Sequence, residues 1–199
     1  RISYVGEQGW ELYFPFADGL KLWDALAELG VTPVGIETYA NSRRLEKSLR
    51  LQNADLETDY NLYEAGLARP KVKAADFHGK EAYVAQRELP AQVAYLCTFV
   101  LEDTTDNEGV VRFPVGQWPL LDKETKEVIV DSHGRRSYTT SIAFGPSLGQ
   151  NIAMGYLPAD RAKEGDTVYM EYFGNFFSAK VTAVGYRAML DPENVRVKT

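Results

Sequence analysis

From about residue 92 onward the chain is a run of short β-prone segments separated by turn residues. This pattern restricts the fold more than any other feature. Residues 95–101 read as one strand, and 167–173 and 176–184 as two more, with the two-residue hairpin signal Gly174-Asn175 between them. Residues 109–119 are irregular, with three chain breakers, and 122–134 alternate charge with Val128-Ile129-Val130 in the manner of a hairpin insert. Short strands with turns between them make a small barrel or sandwich. Trp118, Tyr156, Tyr169, Tyr172, Phe173 and Phe177 are the aromatic residues expected to fill it and to contact what lies upstream.

Upstream the period changes. Residues 16–30 read as an amphipathic helix: Asp18 is a candidate N-cap, Leu20, Trp23 and Ala27 recur at helical spacing, and Gly30 suits the stop. After the breakers Thr32-Pro33-Val34-Gly35, residues 37–51 read as a second helix carrying Arg43, Arg44, Lys47 and Arg50. Ala40, Arg44 and Ser48 fall on one stripe, so Arg44 projects beside small residues that leave room for a ligand. The alternative is a solvated basic face paired with Glu46 and its neighbours, the usual fate of a charge run. A short helix at 80–87 ends before Pro90. The change of texture at 89–92 divides the chain into units 1–91 and 92–199.

The first fifteen residues have hairpin composition: two β-prone runs around a turn bracketed by Gly6 and Gly9, then Trp10, Leu12 and Phe14 alternating with Glu11 and Tyr13. Glu7 falls at the tip. A turn carboxylate is ordinarily just solvated, although loops on rigid scaffolds do carry function.

With 199 residues, 45% hydrophobic and 25% charged, the chain is long enough for a substantial core. A net charge of −6 argues against a general nucleic-acid binder. No uninterrupted apolar run approaches the ~18 residues of a membrane helix. The single cysteine, Cys97, lies in an apolar run as a buried structural thiol would, and a reducing, cytoplasmic setting is expected. His78 and His133 lack metal-site spacing, and neither a Ser-His-Asp arrangement nor a phosphate-binding glycine loop is present. The chain starts without Met, which suggests a piece of a longer protein.

Four separated motifs resemble the glycine-cleavage T-protein (aminomethyltransferase) family. Arg1, Ser3, Tyr4, Gly6, Glu7, Gly9, Trp10 and Glu11 fit its opening R-[VI]-[ST]-[YF]-x-G-E-x-G-[YW]-E pattern. The run 41–46 is similar to its R-D-S-L-R-L-E segment, with Asn41 and Arg43 departing from it. Residues 61–67 and 71–82 follow its E-A-G-L and D-F-I-G-[RK]-E-A patterns, with His78 in the place of an apolar residue. Residues 137–158 resemble its barrel signature V-T-S-G-x-[FY]-S-P-x-L-G-K-x-I-A, with Ile142 and Gly145 as departures.

The resemblance implies an α+β fold: the C-terminal part of an aminomethyltransferase-type folate-binding domain, then a small β-barrel. It implies tetrahydrofolate as cofactor, a small-molecule one-carbon donor, and no nucleic-acid or membrane partner. The other partner it implies is the N-terminal part of the same protein, in which the family's catalytic Asp would lie. Glu7 takes the position of the pterin-binding glutamate and Arg44 that of the folate-contacting arginine, with Tyr4 and Trp10 beside Glu7 as further contacts. A guanidinium is well shaped to fork a folate carboxylate. The implied activity is one-carbon (aminomethyl or methyl) transfer. The branches left open are demethylases of methoxy-aromatics, the folate domains of dimethylglycine- or sarcosine-oxidising flavoenzymes, and non-catalytic folate-binding relatives.

Overall fold

The structure, a computed structural model, describes residues 3–198. Six strands form one antiparallel sheet: β1 Ala94–Leu101, β2 Leu120–Leu121, β3 Thr139–Gly145, β4 Gln150–Pro158, β5 Thr167–Tyr172 and β6 Asn175–Val184. Their order is β2-β5-β6-β1-β4-β3. The two ends of the sheet meet. Leu120 N–H donates to Ser137 O at 3.0 Å, Thr139 N–H to Trp118 O at 2.8 Å, and Pro119 bridges Tyr138. The curled sheet thus joins its own edges into a small barrel, leaving few ladder groups unpaired.

Alternation along the strands sorts the core into two. Cys97, Phe99, Leu101, Ala153, Leu157, Val168, Met170, Phe177, Ala179 and Val181 point into the barrel. Leu96, Ala143, Ile152, Met154 and Tyr156 point out of it and pack on Leu45 and Ala65 of the upstream region. β1 and β4 are therefore buried on both faces, which is why they read as near-continuous apolar runs. β6, with Phe176, Ser178 and Lys180 outward and exposed, alternates. Of the aromatic residues expected in the core, Phe177 is in the barrel, Tyr156 in the contact layer, and Trp118 and Tyr172 pack on the barrel's margin. Phe173 is instead 73% exposed. It and Gly174, at φ 49° and 75°, form the two-residue turn, one position earlier than the Gly174-Asn175 signal, and Tyr172 pairs with Asn175.

Upstream, helix α1 is Gly19–Glu28, preceded by a 3-10 turn at Phe16–Asp18. A π-helical turn at Thr38–Arg43 leads into the short helix α2, Arg44–Glu46, and α3 is Lys80–Arg87. A final turn, α4, is Val195–Lys198. Two expectations fail here. The opening hairpin does not form: residues 3–15 hold no strand, and Trp10, Leu12, Tyr13 and Phe14 are all exposed. Arg1 and Ile2 of that motif lie outside the described residues. A two-stranded ribbon with neither a third strand nor a packed face is marginal, and nothing among the described residues covers this one.

The second helix stops at Glu46 rather than 51. Ser48, at φ 55°, takes the left-handed position that ends it, with Leu49 N–H donating to Arg44 O at 2.9 Å and Ser48 N–H to Leu45 O at 2.9 Å. This doubly bonded C-terminal cap usually has glycine at that position, so the sequence did not announce it.

Candidate functional site

The chain turns at Gly6, whose φ of 74° suits glycine, and a Cβ there would fall within 2.4 Å of the Lys47 stem. Lys47 is itself buried, its Nζ donating to Asp191 O at 2.6 Å and lying 3.6 Å from Asp191 Oδ2. This close approach sets Glu7 against the π turn. Its backbone N–H donates to Ser3 Oγ at 3.0 Å, its carboxylate pairs with Arg43, and Arg196 approaches from the C-terminal turn at 3.3 Å. The Glu7 side chain keeps 45% of its exposure, so it is both held and reachable.

Tyr4 lies next to this carboxylate in the chain, its ring 5.4 Å from that of Tyr39. Its hydroxyl is buried with no hydrogen-bond partner among the described residues. Burial holds the Tyr4 phenol above its usual range, against the opposing pull of the Arg44 guanidinium. An orphaned buried hydroxyl is uncommon and fits a group that a ligand completes. Trp10, by contrast, is 86% exposed on the extended segment that follows.

Arg44 is not beside Glu7. It is turned into the contact layer and has no exposed surface. Its Nε donates to Ala40 O at 2.7 Å, Nη1 to Leu49 O at 3.1 Å and to Asp55 Oδ2 at 2.5 Å, and Nη2 to Ser141 Oγ at 2.6 Å. Asp55 in turn accepts from Leu51 N–H and Thr140 Oγ1. The guanidinium thus ties the helix, the loop after it and strand β3 together. The room beside Ala40 and Ser48 is taken up by this network.

Four participants were not singled out as site residues in the sequence. Arg43 was read as a departure from the motif, yet it is the partner of Glu7 and also donates to Ser147 Oγ at 3.1 Å. Glu46 is fully buried: Oε1 accepts from Ser147 N–H at 2.6 Å and Leu148 N–H at 3.3 Å. Its Oε2 has no hydrogen-bond partner among the described residues and lies 3.8 Å from Arg43 Nη1. Arg196 and Ser141 lie far from these residues in sequence, and no spacing rule joins them.

A cleft of about 470 Å³ opens between the 37–44 segment and β3, with Asn41 and Arg44 on one wall and Phe113, Val115 and Phe144 on the other. Elsewhere Arg135, just after the 122–134 insert, reaches back across the contact layer. It bonds Glu64 at 2.6 Å and Asp131 at 2.6 Å and lies 4.3 Å from the Tyr60 ring, which stacks on Tyr156 at 3.5 Å. No group of His, Cys, Asp or Glu among the described residues is arranged to hold a metal ion.

A loop-and-helix region carrying a held carboxylate packs on the outside of a six-stranded antiparallel barrel, an α+β fold. The family model for the GCVT N-terminal domain matches residues 1–73, and that for the glycine cleavage T-protein C-terminal barrel domain matches residues 113–184. The chain belongs to the glycine-cleavage T-protein family. An aminomethyltransferase of Desulfitobacterium hafniense (strain DSM 10664 / DCB-2) is 31% identical over 186 residues, 91% of this chain and 46% of the relative. The mitochondrial dimethylglycine dehydrogenase of Homo sapiens is 32% identical over 187 residues, 91% of this chain and 20% of the relative. The glycine cleavage system aminomethyltransferase T from Bartonella henselae has the same fold over 98% of this chain and 48% of its own, with a TM-score of 0.73 at 24% identity. The chain thus spans less than half the length of these relatives.

Proposed function

We propose that the chain is the folate-binding C-terminal part of a tetrahydrofolate-dependent one-carbon transferase, moving an aminomethyl or methyl group. The observation that carries this reading is Glu7: a carboxylate fixed by a glycine turn and its own backbone, yet 45% exposed. Such a group can accept hydrogen bonds from the ring N–H donors of a flat heterocycle. Tyr4, with its unpartnered buried hydroxyl, offers a further polar contact, and the exposed Trp10 ring a stacking face.

Arg44 serves the site by holding residues 40–55 against β3, because its donors are already committed in the interior. Tetrahydrofolate, when bound, supplies the carrier of the one-carbon unit. The residues of this chain bind and orient it, and the transfer itself is proposed for the whole protein. Orientation of a bound reactant is a large part of what such a site contributes.

Calorimetry of the full-length protein with tetrahydrofolate tests the reading. Loss of a charge-assisted hydrogen bond costs about 1.5–3 kcal/mol, so Glu7→Ala should weaken binding roughly tenfold to a hundredfold. Equal affinity for wild type and Glu7→Ala would overturn it. One alternative has a specific observation behind it: the similarity to human dimethylglycine dehydrogenase over 187 residues favours a folate domain within a dimethylglycine- or sarcosine-oxidising flavoenzyme. Formation of folate-bound one-carbon product from dimethylglycine, but not from a methoxy-benzoate, separates that reading from the demethylase branch.

A further inference from the structure

Arg43 lies between two carboxylates and satisfies only one. Its Nη2 is on Glu7, while its Nη1, 3.1 Å from Ser147 Oγ, lies 3.8 Å from Glu46 Oε2, close enough for an ion pair but not for a hydrogen bond. Glu46 has no exposed surface, and that second oxygen is without a hydrogen-bond partner among the described residues. A buried carboxylate oxygen left unsatisfied is costly, and one within reach of a guanidinium that is otherwise engaged needs a reason. The other oxygen is fixed by the N–H groups of Ser147 and Leu148 in the β3–β4 turn, so the carboxylate cannot rotate away to find water. Glu7, for its part, is held by both Arg43 and Arg196 through one oxygen, Oε1, so a ligand whose N–H donors fork the two carboxylate oxygens meets Arg43 at that one.

We propose that Arg43 is a two-position residue that hands Glu7 to the ligand: as the ligand takes Glu7, the guanidinium turns onto Glu46 Oε2. The inference rests on the proposed folate reading and deepens it by naming what receives the displaced charge. Movement of Nη1 by about the length needed to turn 3.8 Å into a charge-assisted hydrogen bond suffices. The exchange turns the long Arg43–Glu46 contact into a hydrogen-bonded pair, which offsets the Arg43–Glu7 pair that the ligand breaks. Arg43 is then a positioning residue: it sets the availability of Glu7 and, through Ser147, registers occupancy at the barrel turn. Arg196, half-exposed on the far side of Glu7, can leave into water and needs no second acceptor.

The test is a double-mutant cycle on the full-length protein, reading tetrahydrofolate affinity by calorimetry with melting temperature as the control for folding. Glu46→Gln keeps an acceptor for Ser147 and Leu148 but removes the receiving charge, and should weaken binding roughly tenfold. In an Arg43→Met background the same change should alter affinity less than about twofold, and Arg43→Met alone should bind at least as tightly as wild type. Arg43→Gln serves if the Met variant does not fold. Equal loss from Glu46→Gln in both backgrounds makes Glu46 merely structural and overturns the inference, as does no loss in either. Failure of the underlying reading looks different: wild type that binds no tetrahydrofolate, or unchanged binding in Glu7→Gln.

Discussion

Arg44 illustrates how a single residue is decided by its surroundings rather than its type. A guanidinium without exposed surface persists only because Asp55, Ser141 and two carbonyls take its donors. Removing it strands Asp55, which has no exposed surface either, so Arg44→Met should destabilise by about 3–5 kcal/mol, read as a shift in urea midpoint at unchanged slope. The stripe Ala40–Arg44–Ser48 was visible in the sequence, and so was the bareness of its neighbours. Its occupant was not, because Ser141 and Thr140 come from a strand nearly a hundred residues on.

Cys97 was legible, since the run around it is apolar on both parities, and burial pushes its thiol up to about 12. An unfolded cysteine ionises near pH 8.5. Between these values unfolding releases a proton, so stability should fall as pH rises from about 8.5 towards 12. Cys97→Ala should flatten that slope in denaturation curves taken at pH 8 and pH 10. A native thiol that reacts rapidly with a disulfide reagent at pH 8 would contradict this placement.

At the level of elements, those that announced themselves were the ones stabilised by their own pattern. Helix α3 runs over 80–87 as its sequence indicates, and β1, β5 and β6 fall within a residue or so of their apolar runs. The elements misread are those whose limits depend on distant partners. Residues 37–46 adopt a π turn and a Ser48 cap where a longer α-helix would have carried Arg44 away from Asp55. The 122–134 insert reads as a hairpin but is tied down by Arg135 just after it, which joins Glu64 and Asp131 across the contact layer. Arg135→Met should leave two mostly buried carboxylates unpaired and cost about 3–5 kcal/mol. The Tyr60 phenol, pushed up to about 12 chiefly by burial and held down in part by the Arg135 charge, should titrate still higher in the same variant, read by ultraviolet titration.

Taken whole, the molecule is well packed at one end and bare at the other. Helix α1 buries no residue, and Phe16, Leu20, Trp23, Leu29 and Ile36 are all more than half exposed. Apolar surface on this scale associates or binds dye. This chain alone should therefore enhance the fluorescence of an apolar dye at native conditions, and Trp23→Glu with Leu20→Lys should reduce the signal without lowering the melting temperature. The amphipathic period of this helix was plain in the sequence. That its apolar stripe is left exposed among the described residues was not, because a period reports a face and never what covers it. Strand β1 bears on how the rest is assembled. It sits in the middle of the sheet, with Ala94 opposite Pro158 and Cys97 opposite Val184. Neither neighbour is close to it in sequence, whereas β3 with β4 and β5 with β6 pair locally, as hairpins. The barrel should accordingly fold slowly for its size, with the two hairpins early and the insertion of β1 between them as the step that limits the rate.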